Sequence, residues 1–289
     1  MRTTLRVAVV LFHNELDEVW RCMRALNQSA QHADIDVTVH IGDCSSTPMI
    51  GASDVQSLQD NTGFAALHYT WFGENLGHSA GCNRLAEGAD EDYLLLLNPD
   101  TYVAPMLLKH LLKAARDVHV GAVDARQIPC EHPKWFDPST GDQSWASGAC
   151  LLVRTKLFHE VGGFDQVSFP SYVNDVDLSW RLRLAGSRVV HQPKAVVFHD
   201  KRLDDKANVA PTSIELHAGL LGRLKLLTKY DRADLVEETV DVVTRHGHDD
   251  QKRAVADFQR LDEDDLPDPL PNASTVADFI DFEYGRRRF

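Results

Sequence analysis

Apolar runs that each end in a polar turn, most of them followed by helical spacing, predict an α/β fold. Its central sheet should be mostly parallel, with helices on both faces. Three observations carry the expectation. Leu5 to Phe12 is a compact apolar run followed by Leu16, Val19, Trp20 and Met23 at helical spacing. Ile35, Val37, Val39 and Ile41 alternate with polar residues at the period of a strand. Tyr93 to Leu97, the most hydrophobic run, leads straight into Asn98-Pro99-Asp100. In such sheets ligands bind beyond the carboxyl ends of the strands.

The remaining elements follow in order. The second strand ends at the polar turn Asp43-Cys44-Ser45-Ser46. Leu67 to Phe72 suggests a third strand, then Glu74-Asn75-Leu76-Gly77-His78 opens a helix carrying Asn83, Leu85 and Ala86. After Pro105 a helix is expected to about Arg116 and a strand over Val118 to Val123. Arg126 to Gly141, with three prolines, reads as an irregular loop flanking the site. From Ser147 the expected order is a strand, a short helix to Val161, a Gly162-Gly163 turn, a helix from Asp175 to Ala185 and two short strands ending near His199. Helical patterns then cover Ser213 to Lys229, Ala233 to Arg245 and Gln251 to Leu261. The division expected is a first unit over 1–210 and a helical extension over 211–289. An acidic, proline-rich stretch (Asp262 to Pro271) precedes a basic end, Gly285 to Phe289, read as a solvated tail.

Composition narrows the function. The chain has 289 residues, 43% hydrophobic and 25% charged, ordinary values for a folded protein. A formal net charge of −13 disfavours a general grip on nucleic acid, so any phosphate must be held locally, for which a cation bridging carboxylates to phosphate is suited. Five cysteines without CxxC spacing indicate neither a disulfide framework nor a zinc knuckle. Arg6, Glu15 and Asp17 break the first apolar stretch in a way foreign to a signal peptide, and no run is long enough to span a bilayer. A cytoplasmic protein is expected, with contact at a membrane surface left open.

Several polar residues fall at strand ends. Asp100 emerges where the most buried strand meets solvent, placed to hold Mg²⁺ or Mn²⁺ against phosphate oxygens, although Asn and Asp beside Pro also make plain turns. Asp43 could accept a hydrogen bond from a base N–H or a ribose hydroxyl, or simply cap its own turn. Asn75 and Gly77 precede a helix whose N–H groups could face an anion. Asn174 is a good N-cap, and Asp175 and Asp177 suit a first helical turn. Two residues apart on a helix they cannot share a face, so one is chemical and the other structural. His199 ends another strand, where a neutral imidazole could join a metal shell.

Taken together, VVLFHN, the Asp43 turn, ENLGHSAGCNR, LLLLNPD, SGACLLVR, VGGFD, NDVDLSWRLRLAG and AVVFH occur in an order that resembles glycosyltransferase family 2, over about Val7 to Lys229. The resemblance implies the GT-A fold and an inverting, metal-dependent transfer of sugar from a nucleoside-diphosphate sugar to a hydroxyl. It also implies roles for individual residues. Asp175 would be the catalytic base, and Asp100 the metal carboxylate of a DxD-like motif whose first position is Asn98. His199 would lie near the metal or diphosphate. Asn14, Asp43, Asn75, Gly77, Asn83 and Asn98 would lie on the donor side, and Trp145, Ser147, Gly148, Ala149 and Asn174 on the sugar and acceptor side. Two departures stand out: Asn174 where relatives commonly carry Glu, and Cys44 where Asn or Gly is common.

The partners implied are dTDP-rhamnose or a UDP-hexose as donor and a saccharide or lipid-linked acceptor, in cell-surface polysaccharide synthesis. Homo-oligomerisation is left open. The alternatives are a catalytically weak sugar-nucleotide-binding scaffold of the same fold and a sugar-nucleotide pyrophosphorylase. The second expects a Gly-rich, basic turn after the first strand, where this chain has Phe12-His13-Asn14-Glu15.

Overall fold

The computed structural model describes residues 2–201, 203 and 211–288. Its first half runs β1 (Thr4–Leu11), α1 (Leu16–Ala33), β2 (Asp36–Asp43), α2 (Ala52–Asp60), β3 (Ala66–Trp71), α3 (Gly77–Ala86), β4 (Tyr93–Leu97), β5 (Thr101–Val103) and α4 (Leu107–Ala114). The second half runs β6 (Val120–Ile128), β7 (Cys150–Arg154), α5 (Thr155–Glu160), α6 (Asn174–Leu184), β8 (Arg188–His199), α7 (Ser213–Lys229), α8 (Ala233–His246) and α9 (Asp249–Phe258).

The strands form one sheet in the order β3-β2-β1-β4-β7-β6-β8-β5. β1, β2, β3, β4, β6 and β8 share one direction, while β7 and β5 run against them. The reversal of β7 matters for function. It brings the start of that strand, and the Ser147-Gly148-Ala149 segment before it, to the edge where the parallel strands end. There the Asn98 N–H donates to the Ala149 carbonyl at 3.0 Å.

Both faces of the sheet are covered, which is why its central strands read as unbroken apolar runs. On one face Val19, Cys22, Met23 and Leu26 of α1, at the 3- and 4-residue spacing of one helical stripe, pack with Leu107, Leu108 and Leu111 of α4 over Leu5, Val7, Val9 and Leu11. On the other, Cys82 and Leu85 of α3, Phe158 of α5 and Leu178 and Leu182 of α6 cover Ala8, Leu94 and Leu96. The alternation along β1 and β4 therefore feeds two separate cores.

The structure corrects several expectations. β6 continues through Ile128, so Arg126 to Ile128 belong to a strand instead of the loop. β8 is one long strand in place of two short ones. The register against β6 jumps from Ala125–Gln192 to Arg126–Val196, around Pro193, which has no N–H to give the ladder. α2 and the short β5 were not anticipated. The chain end is not a solvated tail. The Trp135 N–H donates to the Arg286 carbonyl and the Arg288 N–H to the Pro133 carbonyl, both at 2.8 Å, so the basic segment pairs with the loop beside the site. The expected boundary at residue 210, and Phe289, lie outside the described residues.

α7 docks on α6 through a buried charge cluster. Lys229 Nζ lies 2.7 Å from Asp177 Oδ1 and 2.8 Å from Asp165 Oδ2, and Arg181 Nε donates to Asp177 Oδ2 at 2.7 Å. Asp177 is fully buried. It is the structural carboxylate of the 175/177 pair, as helical spacing requires.

Candidate active site

A cavity of about 510 Å³ opens at the carboxyl edge of the sheet, and Asn98, Trp145, Ser147, Gly148, Asn174, Asp175 and His199 all line it. A larger cavity of about 610 Å³, bordered by Arg183, Arg188 and Asp278, contains none of the residues singled out from sequence.

Asp175 sits in the first turn of α6. Its Oδ2 accepts the Gly148 N–H at 2.9 Å and its Oδ1 accepts the Val176 N–H at 2.9 Å. Burial pushes its carboxyl above the ordinary carboxylate range, with those N–H groups and Lys134 offsetting part of the rise. A carboxylate so held, mostly buried but lining the cavity, is suited to take a proton from a hydroxyl. The backbone before it is strained: Tyr172 and Val173 both adopt left-handed φ, at 57° and 49°. A β-branched residue rarely does so, and Val173 thereby takes the N-cap position expected for Asn174. Asn174, 5% exposed, instead donates from Nδ2 to Ser79 Oγ at 2.8 Å and lies 3.1 Å from His78 Nδ1. It ties α6 to the start of α3. Burial lowers His78 to about 4, so that ring is neutral near pH 7.

Asp100 and His199 meet where β4 and β8 end, with His199 Nε2 3.3 Å from Asp100 Oδ2. Asp100 Oδ1 is buried and has no hydrogen-bond partner among the described residues. Carboxylate and imidazole are donors that Mg²⁺ or Mn²⁺ accepts, and a buried acceptor without a donor is what a cation would satisfy. Among the described residues no cluster of three or more His, Cys, Asp or Glu surrounds a metal position.

The other predicted donor-side residues occupy the same edge but are engaged locally. Asp43 is fully buried. Its Oδ1 accepts from Ser45 N at 2.9 Å, and its Oδ2 from Met49 N at 2.7 Å and Tyr69 Oη at 2.5 Å. Burial raises its carboxyl, but the hydrogen bonds outweigh burial and hold it below its ordinary range. The capping alternative for Asp43 is therefore the one seen; its carboxylate has no exposed surface for a base. Asn14 accepts from Phe12 N at 2.9 Å, and Asn75 accepts from Gly77 N at 3.0 Å. Gly77 needs its φ of 75°, and a Cβ there would come 3.0 Å from the Pro170 carbonyl. Asn83 bonds Phe164 through both its amide atoms, at 2.8 Å each, and Gln166 at 2.9 Å. That side chain clamps the VGGFD loop to α3.

Sequence reasoning missed the polar network behind Ser147. Asp124, 2% exposed in the middle of β6, takes Lys134 Nζ at 2.5 Å, His191 Nδ1 and Gln143 Nε2 at 2.8 Å, and the Ser147 N–H at 3.0 Å. The ion pair holds Asp124 ionised against its burial, far below its ordinary range. Its signal was a lone charge inside the apolar run GAVDA. Gln127, 4% exposed, bridges Ser147 and His199. It was hidden by its assignment to a loop. Tyr284 from the paired chain end also lines the cavity, edge-on to Trp145 at 6.2 Å, while Lys134 lies 4.4 Å over the Trp145 ring.

The model of Glycosyl transferase family 2 matches residues 7–164, more than half of the chain. N-acetylglucosaminyl-diphospho-decaprenol L-rhamnosyltransferase of Mycobacterium tuberculosis (strain ATCC 25618 / H37Rv) is 34% identical, across 45% of this chain and 57% of that protein. Rhamnosyltransferase WbbL of Escherichia coli (strain K12) is 30% identical, across 41% and 56%. The chain thus spans little more than half the length of these relatives. Among solved structures, the mannosyltransferase PcManGT from Pyrobaculum calidifontis, in complex with GDP-Man and Mn²⁺, superposes with a TM-score of 0.58 at 16% identity, covering 89% of this chain and 74% of that one. GalNAc-T7 with UDP, GalNAc and Mn²⁺ gives 0.64 at 12% identity, covering 93% and 56%. The architecture is the GT-A fold of these structures. By the match across residues 7–164, the chain belongs to glycosyl transferase family 2.

Proposed function

We propose that the protein is an inverting glycosyltransferase that moves a sugar from a nucleoside-diphosphate donor to a hydroxyl of a saccharide or lipid-linked acceptor. The observation that carries this reading is Asp175: a carboxylate with raised proton affinity, aimed by the Gly148 N–H, in the same cavity as Asn98 and His199. Asp175 removes the proton of the acceptor hydroxyl, and that oxygen forms a bond to the anomeric carbon as the bond to the diphosphate breaks. The nucleoside diphosphate leaves from the opposite face, so the anomeric centre inverts. Asp100 and His199 would hold Mg²⁺ or Mn²⁺, which when bound would supply positive charge against the diphosphate leaving group.

Asn98 and the turns at Asn14, Asp43 and Asn75 shape the nucleotide side, Asp43 through the turn it anchors. Trp145, Ser147, Gly148 and Asn174 shape the sugar and acceptor side. Residues 1–210 form the catalytic unit and 211–289 an extension that completes the acceptor wall, a reading supported by Tyr284 at the cavity. dTDP-rhamnose is the preferred donor, supported by the names of the two curated relatives, with UDP-hexoses next. Cell-surface polysaccharide synthesis at the cytoplasmic face of a membrane is the setting that fits; among the described residues no helix is long and apolar enough to cross one.

The test is a thermal-shift and turnover screen of nucleoside-diphosphate sugars, with and without Mn²⁺. A metal-dependent shift with at least one sugar nucleotide, accompanied by its turnover, is expected. Silence across the whole panel would overturn the reading.

A further inference from the structure

We propose that Gln127 is a positioning residue for the cation site, holding His199 in the tautomer that presents a bare Nε2 beside Asp100. The inference rests on the reading that Asp100 and His199 hold a divalent cation. Its geometry is independent of that reading. Gln127 Oε1 lies 2.8 Å from His199 Nδ1, and Gln127 Nε2 lies 2.7 Å from Ser147 Oγ. All three side chains are buried, at 4%, 5% and 4% exposure, so no water competes for these bonds.

With the amide oriented this way, its oxygen accepts the proton of His199 Nδ1 and its nitrogen donates to Ser147. A neutral imidazole carries one ring proton, so Nε2 is left as a lone pair. That lone pair lies 3.3 Å from Asp100 Oδ2, with the partnerless Oδ1 of the same carboxylate beside it. Acceptors gathered without a donor form a place for a cation. The reverse amide orientation would put the proton on Nε2, between the ring and Asp100, and remove the imidazole as a metal ligand. An outer partner that fixes the tautomer of a ligating histidine typically changes metal affinity by about 10- to 100-fold when removed.

Alternation along β6 places Gln127: Ala125 is buried, Arg126 and Ile128 are exposed, and Gln127 is buried under Ser147 and His199, while the register jump puts its extra residues, Pro193 to Ala195, in β8. The same short segment then serves both halves of the site. Ser147 accepts from Gln127, and the next N–H, of Gly148, aims Asp175.

The experiment measures Mn²⁺ binding by electron paramagnetic resonance in the full chain with dTDP or UDP, and follows folding by thermal melt. Asp100→Ala and His199→Ala test the underlying site and should abolish nucleotide-dependent Mn²⁺ binding. Gln127→Met, which keeps bulk but removes both polar atoms, should weaken Mn²⁺ binding about 10- to 100-fold. Gln127→Glu, which can only accept from Nδ1, should keep Mn²⁺ affinity at least at the wild-type value. If Asp100→Ala and His199→Ala bind Mn²⁺ like wild type, the site itself fails. If they lose binding while Gln127→Met keeps it, or if Met and Glu weaken it equally, the role of Gln127 is overturned. Should Gln127→Met not fold, Gln127→Asn, one methylene short of His199, is expected to show the same weakening, and wild-type affinity there overturns the proposal.

Discussion

Asp175 Oδ2 accepts the backbone N–H of Gly148 at 2.9 Å, a bond that links the first turn of α6 to the segment before the reversed strand β7. The bond fixes the carboxylate by a backbone group that side-chain substitution does not remove. It stabilises the ionised form, but burial outweighs it, so Asp175 holds its proton more tightly than an ordinary carboxylate.

A pH dependence follows. A base acts only when deprotonated, so transfer should rise with pH as Asp175 ionises. Because its pKa is raised, the half-rise should fall above the ordinary aspartate value of about 3.9. Initial rates across an acidic pH series check this. Half-maximal transfer at or below that value would remove the desolvated base from the mechanism.

The same shift acts on stability with the opposite sign from a salt-bridged carboxylate. Below the unfolded-state pKa Asp175 is protonated in both states and contributes nothing through this route. As pH rises through its raised folded-state pKa, the folded protein holds an ion that it disfavours, and stability falls. Asp175→Asn should therefore gain melting temperature relative to wild type between acid and neutral pH. A difference that stays constant, or shrinks, across that range contradicts the buried-carboxylate description.

Asp124 runs the other way. Its folded pKa is depressed, so its pair with Lys134 is at full strength above the unfolded pKa and weakens as pH falls through the depressed folded value. Asp124→Asn leaves the Lys134 ammonium buried without its counter-ion and should cost about 3–5 kcal/mol at neutral pH. Denaturant melts read the loss, and the gap from wild type should narrow on acidification.

Asp177 and Lys229 predict a loss of docking. Asp177→Ala strands the Arg181 guanidinium and leaves Lys229 with Asp165 alone in a buried site, so a destabilisation of about 3–5 kcal/mol is expected, with α7 loosened from α6. Hydrogen exchange should report faster opening of Ser213–Lys229. Unchanged protection would mean that apolar contacts alone, such as Leu226 and Tyr230 against Trp180, hold the helix.

Much of this was legible in the sequence. The period-two pattern of Ile35 to Ile41, the unbroken YLLLL of β4 and the helical stripe from Val19 to Leu26 each name an element, because burial on one or two faces leaves a direct imprint on residue order. Asp100 and His199 stand out as candidates because they fall where apolar strands stop, and Asp175 because it falls where a helix starts. What escaped depends on tertiary pairing. The reversed direction of β7 has no local signature, nor does the register jump between β6 and β8. The partners that engage Asn83 and Asp43, Phe164 for the one and Met49 and Tyr69 for the other, lie on loops and a strand that local sequence does not bring to them. The basic chain end read as solvated because its partner loop, Pro133 to Trp135, lies far away in the sequence.

The most direct test of Asp175 as base, with Asp100 on the donor side, is a paired measurement on Asp175→Asn: sugar transfer on one hand, Mn²⁺-dependent binding of the donor nucleotide on the other. Transfer should vanish while donor binding stays at the wild-type level, with Asp100→Ala showing loss of the metal-dependent binding instead. An Asp175→Asn protein that still transfers sugar, or that no longer binds the donor, would contradict the assignment.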